Sequence, residues 1–396
     1  MSYRRLRPLL FRLDAERAHG LAVRAGRLGQ RLPALTGALF GAADAGLEQT
    51  VWGLRFRNPV GLAAGFDKNA ELVRLWAALG FGHAEVGSVS ARPSAGNARP
   101  RAFRLPADGA LVNRMGLNND GAAAVAARLA ATAAPPGLVV GVNVAKTHSP
   151  DILGAAGVED FRASVRALAP QADYLALNVS CPNTAEGKTF EAPDALDALL
   201  AAVADEMGGA VNVARPAPEG DRHPSKRSSQ SPVPGPRSRE PKASPPLLVK
   251  LSPPPTGGVD VGATDELVQI CLDRGVAGFI TTNTAADRDG LATPPDAVGR
   301  IGRGGLSGRP LAARATTLAR HLYRTTGGRV PIVGVGGVDS AEAAYARIRA
   351  GASLVQVYTG LVYEGPGLVG RVNRGLVRLL ERDGFGSVAE AVGADA

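Results

Sequence analysis

Short apolar runs that end abruptly in polar or glycine residues recur along this chain. One run begins at Tyr174 and gives way to Asn178, Ser180, Cys181 and Asn183. Amides, a hydroxyl and a thiol cannot strengthen a hydrophobic core, so we interpret them as groups that a buried strand delivers to a ligand. The same change of character ends the runs at residues 60–64, 84–87, 139–142, 247–249, 278–281, 331–335 and 354–357. The pattern predicts eight buried strands.

Stretches rich in Ala, Leu and Arg separate most of these runs. They include residues 70–79, 122–131, 161–168 and 341–350. Strands that alternate with helices are typical of parallel β/α units. Eight units predict a closed (β/α)8 TIM barrel, with its chemistry at the carboxyl ends of the strands. The competing architecture is an open doubly wound sheet, but no G-x-G-x-x-G opens the first helix.

Residues 1–45 predict a small helical arm ahead of the barrel. Apolar residues recur at helical spacing over residues 3–13, and two further helices are predicted over residues 15–28 and 34–40. Asp14 is suited to cap the second helix, and Gly29 to end it. Periodicity alone leaves two alternatives, because a basic amphipathic arm can lie in a membrane interface or pack its apolar stripe on the barrel.

Charge and composition set two appendages apart from the barrel. The formal net charge is +9. Residues 1–40 hold eight arginines against two acidic residues, and residues 208–246 hold seven basic against three acidic residues, so the remainder is close to neutral. The second segment also contains nine prolines and few large apolar side chains. We therefore expect a disordered insertion over 208–246, opposite the catalytic rim, within a barrel that takes residues 46–396.

The remaining composition argues against a nucleic-acid partner, a metal site and a membrane span. Aromatic residues make up 5% of the chain and are not interleaved with the basic clusters. Cys181 and Cys271 are far apart and match neither a disulfide framework nor a metal-ligand spacing. No apolar run is long enough to cross a bilayer, and no signal peptide is recognised, so we expect a reducing, cytosolic environment.

Glycine-rich turns after the last two runs predict a site for a phosphate group. Gly-Val-Gly-Gly occupies residues 334–337, and Tyr-Thr-Gly occupies residues 358–360. Glycines let backbone amides close on an anion, and loops seven and eight are the usual phosphate site of such barrels. The turns fit a phosphorylated substrate or the tail of a flavin mononucleotide.

Cations and amides follow several of the other runs. Lys68 and Lys250 each come after an apolar strand, and with Asn143 and Asn178 they suggest a planar polar ring held by amides and cations. Residues 113–119 add a further cluster of amides. These groups indicate a ligand with electron-rich edges.

Together the motifs resemble one family, the dihydroorotate dehydrogenases. The likeness covers nearly the whole chain outside 208–246 and rests on the motifs at residues 58–68, 113–116, 178–184, 282–284, 304–310, 334–337 and 351–358. The arm, with Asp-Ala-Glu-Arg-Ala-His at residues 14–19, resembles the membrane-associated, quinone-reducing class 2 enzymes. The resemblance implies an FMN-containing barrel that oxidises dihydroorotate to orotate in pyrimidine biosynthesis. It also implies peripheral attachment to the cytoplasmic side of the cell membrane.

The resemblance implies a set of FMN-binding residues by motif match. They are Ala64, Gly65, Lys68, Ser88, Asn143, Asn178, Lys250, Thr282, Gly308, Gly337, Tyr358 and Thr359.

Substrate and quinone positions follow from the same resemblance. The substrate set is Lys68, Asn113, Arg114, Met115, Gly116, Leu117, Asn178, Asn183, Asn283 and Thr284, and the quinone tunnel is lined by His19, Arg104 and Tyr358.

The proposed base is a departure from the class 2 pattern. A free thiol has a pKa near ~8.5, so Cys181 can act as a base, although an inert buried cysteine is the ordinary alternative. By the resemblance, Cys181 removes a proton from C5 of dihydroorotate while C6 delivers hydride to the flavin. Class 2 enzymes usually have Ser here, and the segment 185–190 also differs from their pattern.

Three alternative functions remain open. They are a soluble class 1 type enzyme using fumarate or NAD, a tRNA dihydrouridine synthase, and a non-catalytic scaffold barrel.

Overall fold

Three helices form the N-terminal arm in the computed structural model, which describes residues 3–41, 46–132, 135–180, 189–208 and 244–396. They are α1 (Tyr3–Arg12), α2 (Ala15–Gly29) and α3 (Pro33–Phe40). Asp14 caps α2 as predicted, because its carboxylate accepts the backbone N–H groups of Glu16 and Arg17, each at 3.0 Å. Helix α2 ends at Gly29, one residue after the predicted last residue, Leu28. The Gly29 carbonyl accepts the Thr36 hydroxyl at 2.9 Å.

A short antiparallel hairpin closes the amino-terminal end of the barrel. It consists of β1 (Gln49–Val51) and β2 (Leu54–Phe56). Trp52, between the strands, donates from its indole nitrogen to the Ala277 carbonyl at 2.7 Å. Phe56 is completely buried against the barrel interior. This end is therefore filled by side chains, and a ligand site must lie at the opposite end.

Eight parallel strands form a closed barrel in chain order, and all eight predicted runs are among them. The strands are β3 (Val60–Leu62), β4 (His83–Val89), β7 (Val139–Val144), β8 (Tyr174–Asn178), β9 (Leu247–Leu251), β10 (Gly278–Thr281), β12 (Ile332–Val335) and β13 (Leu354–Val357). The last strand pairs with the first, where Val355 lies opposite Val60. The runs are apolar because each strand is buried on both faces.

The helices that follow the arm lie largely on the outside of the barrel. They are α4 (Val73–Ala78), α5 (Ala122–Ala131), α6 (Gly154–Leu168), α7 (Pro193–Glu206), α8 (Val261–Asp273), α9 (Pro295–Ile301), α10 (Ala312–Thr325), α11 (Ala341–Arg349), α12 (Thr359–Glu364), α13 (Leu368–Asp383) and α14 (Val388–Ala391). Helix α4 begins three residues later than the predicted stretch. The reason is Ala70, whose φ of 56° cannot continue a right-handed helix.

A three-stranded antiparallel sheet, which the sequence analysis did not predict, lies outside the barrel. Its strands are β5 (Ala102–Leu105), β6 (Ala110–Asn113) and β11 (Gly305–Gly308). Buried side chains such as Leu105, Val112 and Leu306 give this sheet a small core of its own. The sheet carries Asn113 and Gly308 to the carboxyl ends of the barrel strands.

The predicted insertion falls almost entirely outside the described residues. Helix α7 ends at Glu206 and β9 begins at Leu247. The Ser244 hydroxyl donates to the Met207 carbonyl at 3.0 Å, so the two described flanks lie side by side. A connection from a helix to the next strand belongs at the amino-terminal end of a barrel, away from the catalytic rim. The expected disorder of the segment stays a prediction.

Candidate active site

A cavity, termed here the central cavity, lies at the carboxyl ends of the barrel strands. Seven of the eight strands, all except β7, contribute residues at or just beyond these ends, and the three-stranded sheet covers another side. The described lining residues with polar side chains are Lys68, Ser88, Asn113, Asn178, Lys250, Thr282, Asn283, Thr284, Ser307, Gln356, Tyr358 and Thr359.

Glycines shape one end of the central cavity. Gly308, Gly336 and Gly337 have φ angles of 104°, 108° and 74°, a region that side chains disfavour. A Cβ on Gly337 would lie 2.5 Å from the Cβ of Ala312, and one on Gly308 would lie 2.4 Å from the Gly109 carbonyl oxygen. Because side chains are excluded there, backbone amides can close around an anionic group such as a phosphate.

A chain of hydrogen bonds fixes the amides of the site. Asn283 donates from Nδ2 to Asn178 Oδ1 and to the Ser180 carbonyl, both at 3.0 Å. Asn178 donates in turn to the Ser88 hydroxyl at 3.0 Å, and this hydroxyl donates to Asn143. The amides of Asn178 and Asn283 are therefore held in fixed orientations at the cavity wall.

Two lysines bring positive charge to the central cavity. Lys68 donates to the Gly65 carbonyl at 2.7 Å. Burial, with a contribution from nearby Arg101, lowers the pKa of Lys68 to about 8. Lys250 is almost completely buried, and its Nζ lies 3.7 Å from Oε1 of Glu85. Cations at these two positions suit a ligand with a carboxylate or an electron-rich ring edge.

A second cavity, termed the arm cavity, lies between the arm helices and the barrel. It has a volume of about 460 Å³, and most of its lining residues are apolar. Lys68, Asn113, Met115, Ser307 and Tyr358 line both cavities. A ligand in the arm cavity would therefore approach the contents of the central cavity from one side.

Polar groups on the wall of the arm cavity also hold the arm in place. Burial lowers the pKa of His19 to about 4, so its ring is neutral near pH 7. This ring packs edge-on against Phe66, with centroids 4.9 Å apart. Arg104 donates to the Leu10 carbonyl at 3.0 Å and lies over Phe11, 4.7 Å from the ring centroid.

Comparison with known proteins identifies the family. Residues 46–380 match the family model described as dihydroorotate dehydrogenase. The chain belongs to the dihydroorotate dehydrogenase family. Proteins named dihydroorotate dehydrogenase (quinone) from Deinococcus deserti and Anaeromyxobacter dehalogenans are each 46% identical to it, over 100% and 98% of this chain and 100% and 96% of theirs. The crystal structure of DHODH from Eimeria tenella in complex with ferulenol matches with a TM-score of 0.80 and 33% identity, over 96% of each chain.

The central cavity brings together eleven of the twelve residues that the dihydroorotate dehydrogenase resemblance assigns to FMN. They are Ala64, Gly65, Lys68, Ser88, Asn178, Lys250, Thr282, Gly308, Gly337, Tyr358 and Thr359. Asn143 is the exception, since it does not line the cavity. It is completely buried and connects Ser88 to the carboxylate of Glu85, to which it donates at 2.9 Å.

Eight of the ten residues expected to hold dihydroorotate also line the central cavity. They are Lys68, Asn113, Met115, Gly116, Leu117, Asn178, Asn283 and Thr284. The Arg114 side chain turns away from the cavity. It donates to the Arg303 carbonyl at 3.1 Å and lies 4.7 Å from the centroid of the Phe103 ring. Asn183 lies outside the described residues.

Cys181, the expected base, also lies outside the described residues, which stop at Ser180 and resume at Thr189. The Ser180 hydroxyl donates to the Lys250 carbonyl at 2.8 Å. On the other flank, the Glu191 carboxylate accepts the backbone N–H of Ser252 at 2.7 Å. Both flanks of the segment are thus fixed beside β9.

The three residues expected to line the quinone tunnel of a class 2 dihydroorotate dehydrogenase all lie on the arm cavity. These are His19, Arg104 and Tyr358. Burial raises the pKa of Tyr358 to about 12, so its hydroxyl stays protonated and can donate a hydrogen bond.

The sequence analysis missed a polar layer inside the barrel. Glu85, Tyr174 and Gln356 lie within β4, β8 and β13, and hydrogen bonds join them. A signal was present, because Glu85 interrupts the apolar run over residues 84–87 and Gln356 interrupts the run over residues 354–357. Buried polar side chains of this kind are uncommon and need hydrogen-bond partners, so they indicate a polar network inside the barrel. Among the described residues, no group of three or more His, Cys, Asp or Glu side chains could hold a metal ion.

Proposed function

We propose that the protein is a quinone-dependent dihydroorotate dehydrogenase, which oxidises dihydroorotate to orotate on FMN in pyrimidine biosynthesis. The observation that carries the proposal is the junction of the two cavities at Lys68, Asn113 and Tyr358. A substrate in one cavity and an electron acceptor in the other would reach one cofactor from two sides. The soluble class that uses fumarate or NAD lacks such an arm, and the quinone-named relative from Deinococcus deserti matches over the whole chain.

The lining of the central cavity fits a flavin mononucleotide. Gln356 Oε1 and Thr284 Oγ1 are buried there without a hydrogen-bond partner among the described residues, so a polar ligand would satisfy them. The turns at Gly308 and Gly337 suit its phosphate. When bound, FMN supplies the hydride acceptor, and the protein supplies orientation and charge.

The ring of the flavin would be held by cations and amides. Lys68 and Lys250 line the cavity, and Asn178 and Thr282 add neutral polar contacts. Positive charge beside an electron-accepting ring favours its reduced state.

Dihydroorotate would lie against the amides on the other side of the cavity. Asn113, Asn283 and Thr284 suit its ureide edges, and Lys68 suits its carboxylate. Cys181 is the proposed base that removes the C5 proton. A thiol is more easily deprotonated than the hydroxyl usual in this class, so the exchange preserves the role.

The surface of the arm favours peripheral attachment to a membrane. Eight leucines on the arm are between 39% and 64% exposed: Leu6, Leu9, Leu13, Leu21, Leu28, Leu32, Leu35 and Leu39. In the rest of the described chain, only Leu153 and Val261 are large hydrophobic residues with comparable exposure. Exposed leucines of this kind, with arginines between them in the sequence, suit the interface of the cytoplasmic leaflet. None of the helices within the described ranges is long and apolar enough to cross a bilayer.

Electron-acceptor specificity tests the proposal. The purified protein should be yellow with flavin absorbance, and dihydroorotate should be oxidised when a quinone is offered as the only acceptor. Fumarate and NAD, offered separately, should give little turnover. Turnover with either of them and none with quinone would contradict the proposed acceptor, and a colourless inactive protein would favour the scaffold alternative.

A further inference from the structure

A carboxylate lies inside the barrel, directly beneath the central cavity. Glu85 is in the middle of β4 and is completely buried. Its Oε1 accepts a hydrogen bond from Asn143 Nδ2 at 2.9 Å and lies 3.7 Å from Lys250 Nζ. Its Oε2 accepts from Gln356 Nε2 at 2.8 Å and from the Tyr174 hydroxyl at 3.3 Å. Both oxygens are therefore satisfied.

The four partners of Glu85 come from four other strands and connect the carboxylate to the site. Lys250 and Gln356 line the central cavity, whereas Glu85 does not. Asn143 donates to Glu85 and accepts the hydroxyl hydrogen of Ser88, which is another cavity residue. The carboxylate thus lies one layer below the central cavity, where it contacts two lining residues directly and reaches a third, Ser88, through Asn143.

The interior of the barrel makes room for this polar layer. A Cβ on Gly141 would lie 2.0 Å from the ring of Tyr174, so only glycine there allows the tyrosine to point at Glu85. Burying a carboxylate carries a large desolvation cost, which good geometry and hydrogen bonds only offset. An apolar residue would fill the same volume without this cost. The charge therefore calls for an explanation beyond packing.

We propose that Glu85 is a positioning residue of the flavin site. It fixes the side chains of Lys250, Asn143 and Gln356 from below, and its negative charge balances the Lys250 ammonium group. This inference rests on the proposed flavin-dependent function. It predicts that Glu85 sets both the affinity for the flavin and the reduction potential of the bound flavin, although it does not contact the cavity.

Binding and potential measurements on single and double variants test the inference. Glu85→Gln keeps the size of the side chain but removes the charge, and its amide group would face the donors of Asn143 and Gln356. The dissociation constant for FMN, measured by fluorescence on the flavin-free protein, should rise roughly tenfold or more. The midpoint potential should move to more positive values, because the positive charge of Lys250 is no longer balanced. In a Lys250→Met background, Glu85→Gln should weaken FMN binding by a smaller factor, because only its contacts with Asn143 and Gln356 remain to be lost.

Asp160→Asn is the matched control. Asp160 is also a buried carboxylate, and it accepts the backbone N–H and the hydroxyl of Thr147, each at 2.7 Å, but it does not line the central cavity. This variant should be less stable yet keep the flavin affinity and potential of the wild type. Equal shifts in the Asp160 and Glu85 variants would overturn the inference.

Two further outcomes complete the test. Wild-type affinity and potential in a folded Glu85→Gln protein would overturn the inference while leaving the proposed function intact, whereas a wild-type protein that binds no flavin would contradict the proposed function itself. If Glu85→Gln does not fold, Glu85→Asp replaces it. The shorter carboxylate cannot reach Asn143 and Gln356 together, so FMN affinity should fall several-fold, and an unchanged affinity would overturn the inference.

Discussion

At the scale of single residues, burial determines the charge state of a histidine that the proposed chemistry does not use. His83 is completely buried at the start of β4, and neither of its ring nitrogens has a hydrogen-bond partner among the described residues. Its ring fills the space beside Gly61, and the nearest aromatic neighbours are Phe56 and Tyr174. Burial lowers the pKa of His83 to about 3, so the folded protein holds it neutral.

We predict that His83→Phe stabilises the protein. At about pH 8 the free energy of unfolding should rise by about 1–3 kcal/mol, because an unpaired buried polar group is removed. Wild-type stability should also fall as the pH is lowered below about 6.5, since the unfolded chain then binds protons that buried His83 and His19 cannot bind. The variant should lose less stability between about pH 7 and pH 5. Urea unfolding at several pH values measures both effects.

His83→Gln is the matched control for this prediction. It keeps a polar group at the same buried position, so the gain at about pH 8 should be absent. An acid-induced loss of stability that is the same in the wild type and in His83→Phe would show that His83 is not held neutral in the folded protein.

The reactivity of Cys181 can be tested against the other cysteine of the chain. Cys181→Ala should slow flavin reduction by dihydroorotate by roughly two to four orders of magnitude, the usual contribution of a positioned base. Cys181→Ser should keep partial activity that rises toward higher pH. Cys271 is the control, because it is buried in α8 with a pKa raised by burial to about 12, and Cys271→Ala should leave the rate unchanged. Single-turnover flavin bleaching across pH measures these rates, and a fully active Cys181→Ala enzyme would remove Cys181 from the mechanism.

At the scale of secondary-structure elements, the apolar runs predicted the barrel strands correctly. Features that depend on local backbone geometry were not predicted. All eight barrel strands were predicted because burial on both faces makes each an apolar run that ends in a polar residue. The predicted start of α4 was wrong, because the positive φ of Ala70 depends on tertiary contacts. The hairpin β1–β2 and the sheet of β5, β6 and β11 were missed, because strands of three or four residues show no period long enough to recognise.

The same division applies to the candidate site. Residues at strand ends, such as Asn178 and Lys250, could be predicted from the point at which each run stops. Asn113 was recognised as part of an amide cluster, but its role in the site, like that of Gly308, came only from the family resemblance, because the sheet that carries both residues was not predicted. Glu85 was missed because a single charge within a run gives no sign of the partners that four other strands bring to it.

Helix α2 is joined to the loop above the site by an ion pair that can be tested. Glu16 accepts from Arg101 Nη2 at 2.9 Å, and Arg101 donates to the carbonyls of Ala95 and Asn97 at 2.7 and 2.9 Å. Glu16→Gln should weaken the docking of the arm, because the buried Arg101 guanidinium loses its counter-charge. Faster proteolysis within the arm and a lower melting temperature are the expected results.

Arg99→Gln is the control for the ion pair on α2. Arg99 also contacts Glu16, at 3.1 Å, but its side chain is 74% exposed, so the pair it makes contributes little. Equal effects of Arg99→Gln and Glu16→Gln would show that the buried Arg101 contact does not hold the arm.

At the scale of the whole molecule, the arm has two surfaces of different kinds. One surface of the arm closes the arm cavity against the barrel, and the other exposes the leucines described above. The alternatives left open by periodicity, packing on the barrel and contact with a membrane, therefore do not exclude each other. With the arm attached to a membrane as proposed, a hydrophobic acceptor dissolved in the bilayer would enter the arm cavity without crossing water.

The exposed leucines lead to a prediction about membrane binding. Replacing Leu28, Leu35 and Leu39 together with Glu should weaken binding to vesicles by at least two orders of magnitude, because each buried leucine contributes about 1.5–3 kcal/mol. Oxidation of dihydroorotate with a water-soluble quinone should be unchanged, since none of the three leucines lines either cavity.

Leu153→Glu is the control for the triple variant. Leu153 is 48% exposed but lies on the barrel, so its replacement should leave vesicle binding intact. Vesicle sedimentation at low and high salt separates the contributions, because salt screens the attraction of the arginines but not the burial of the leucines. Undiminished sedimentation of the triple variant at high salt would show that these leucines of the arm do not enter the membrane.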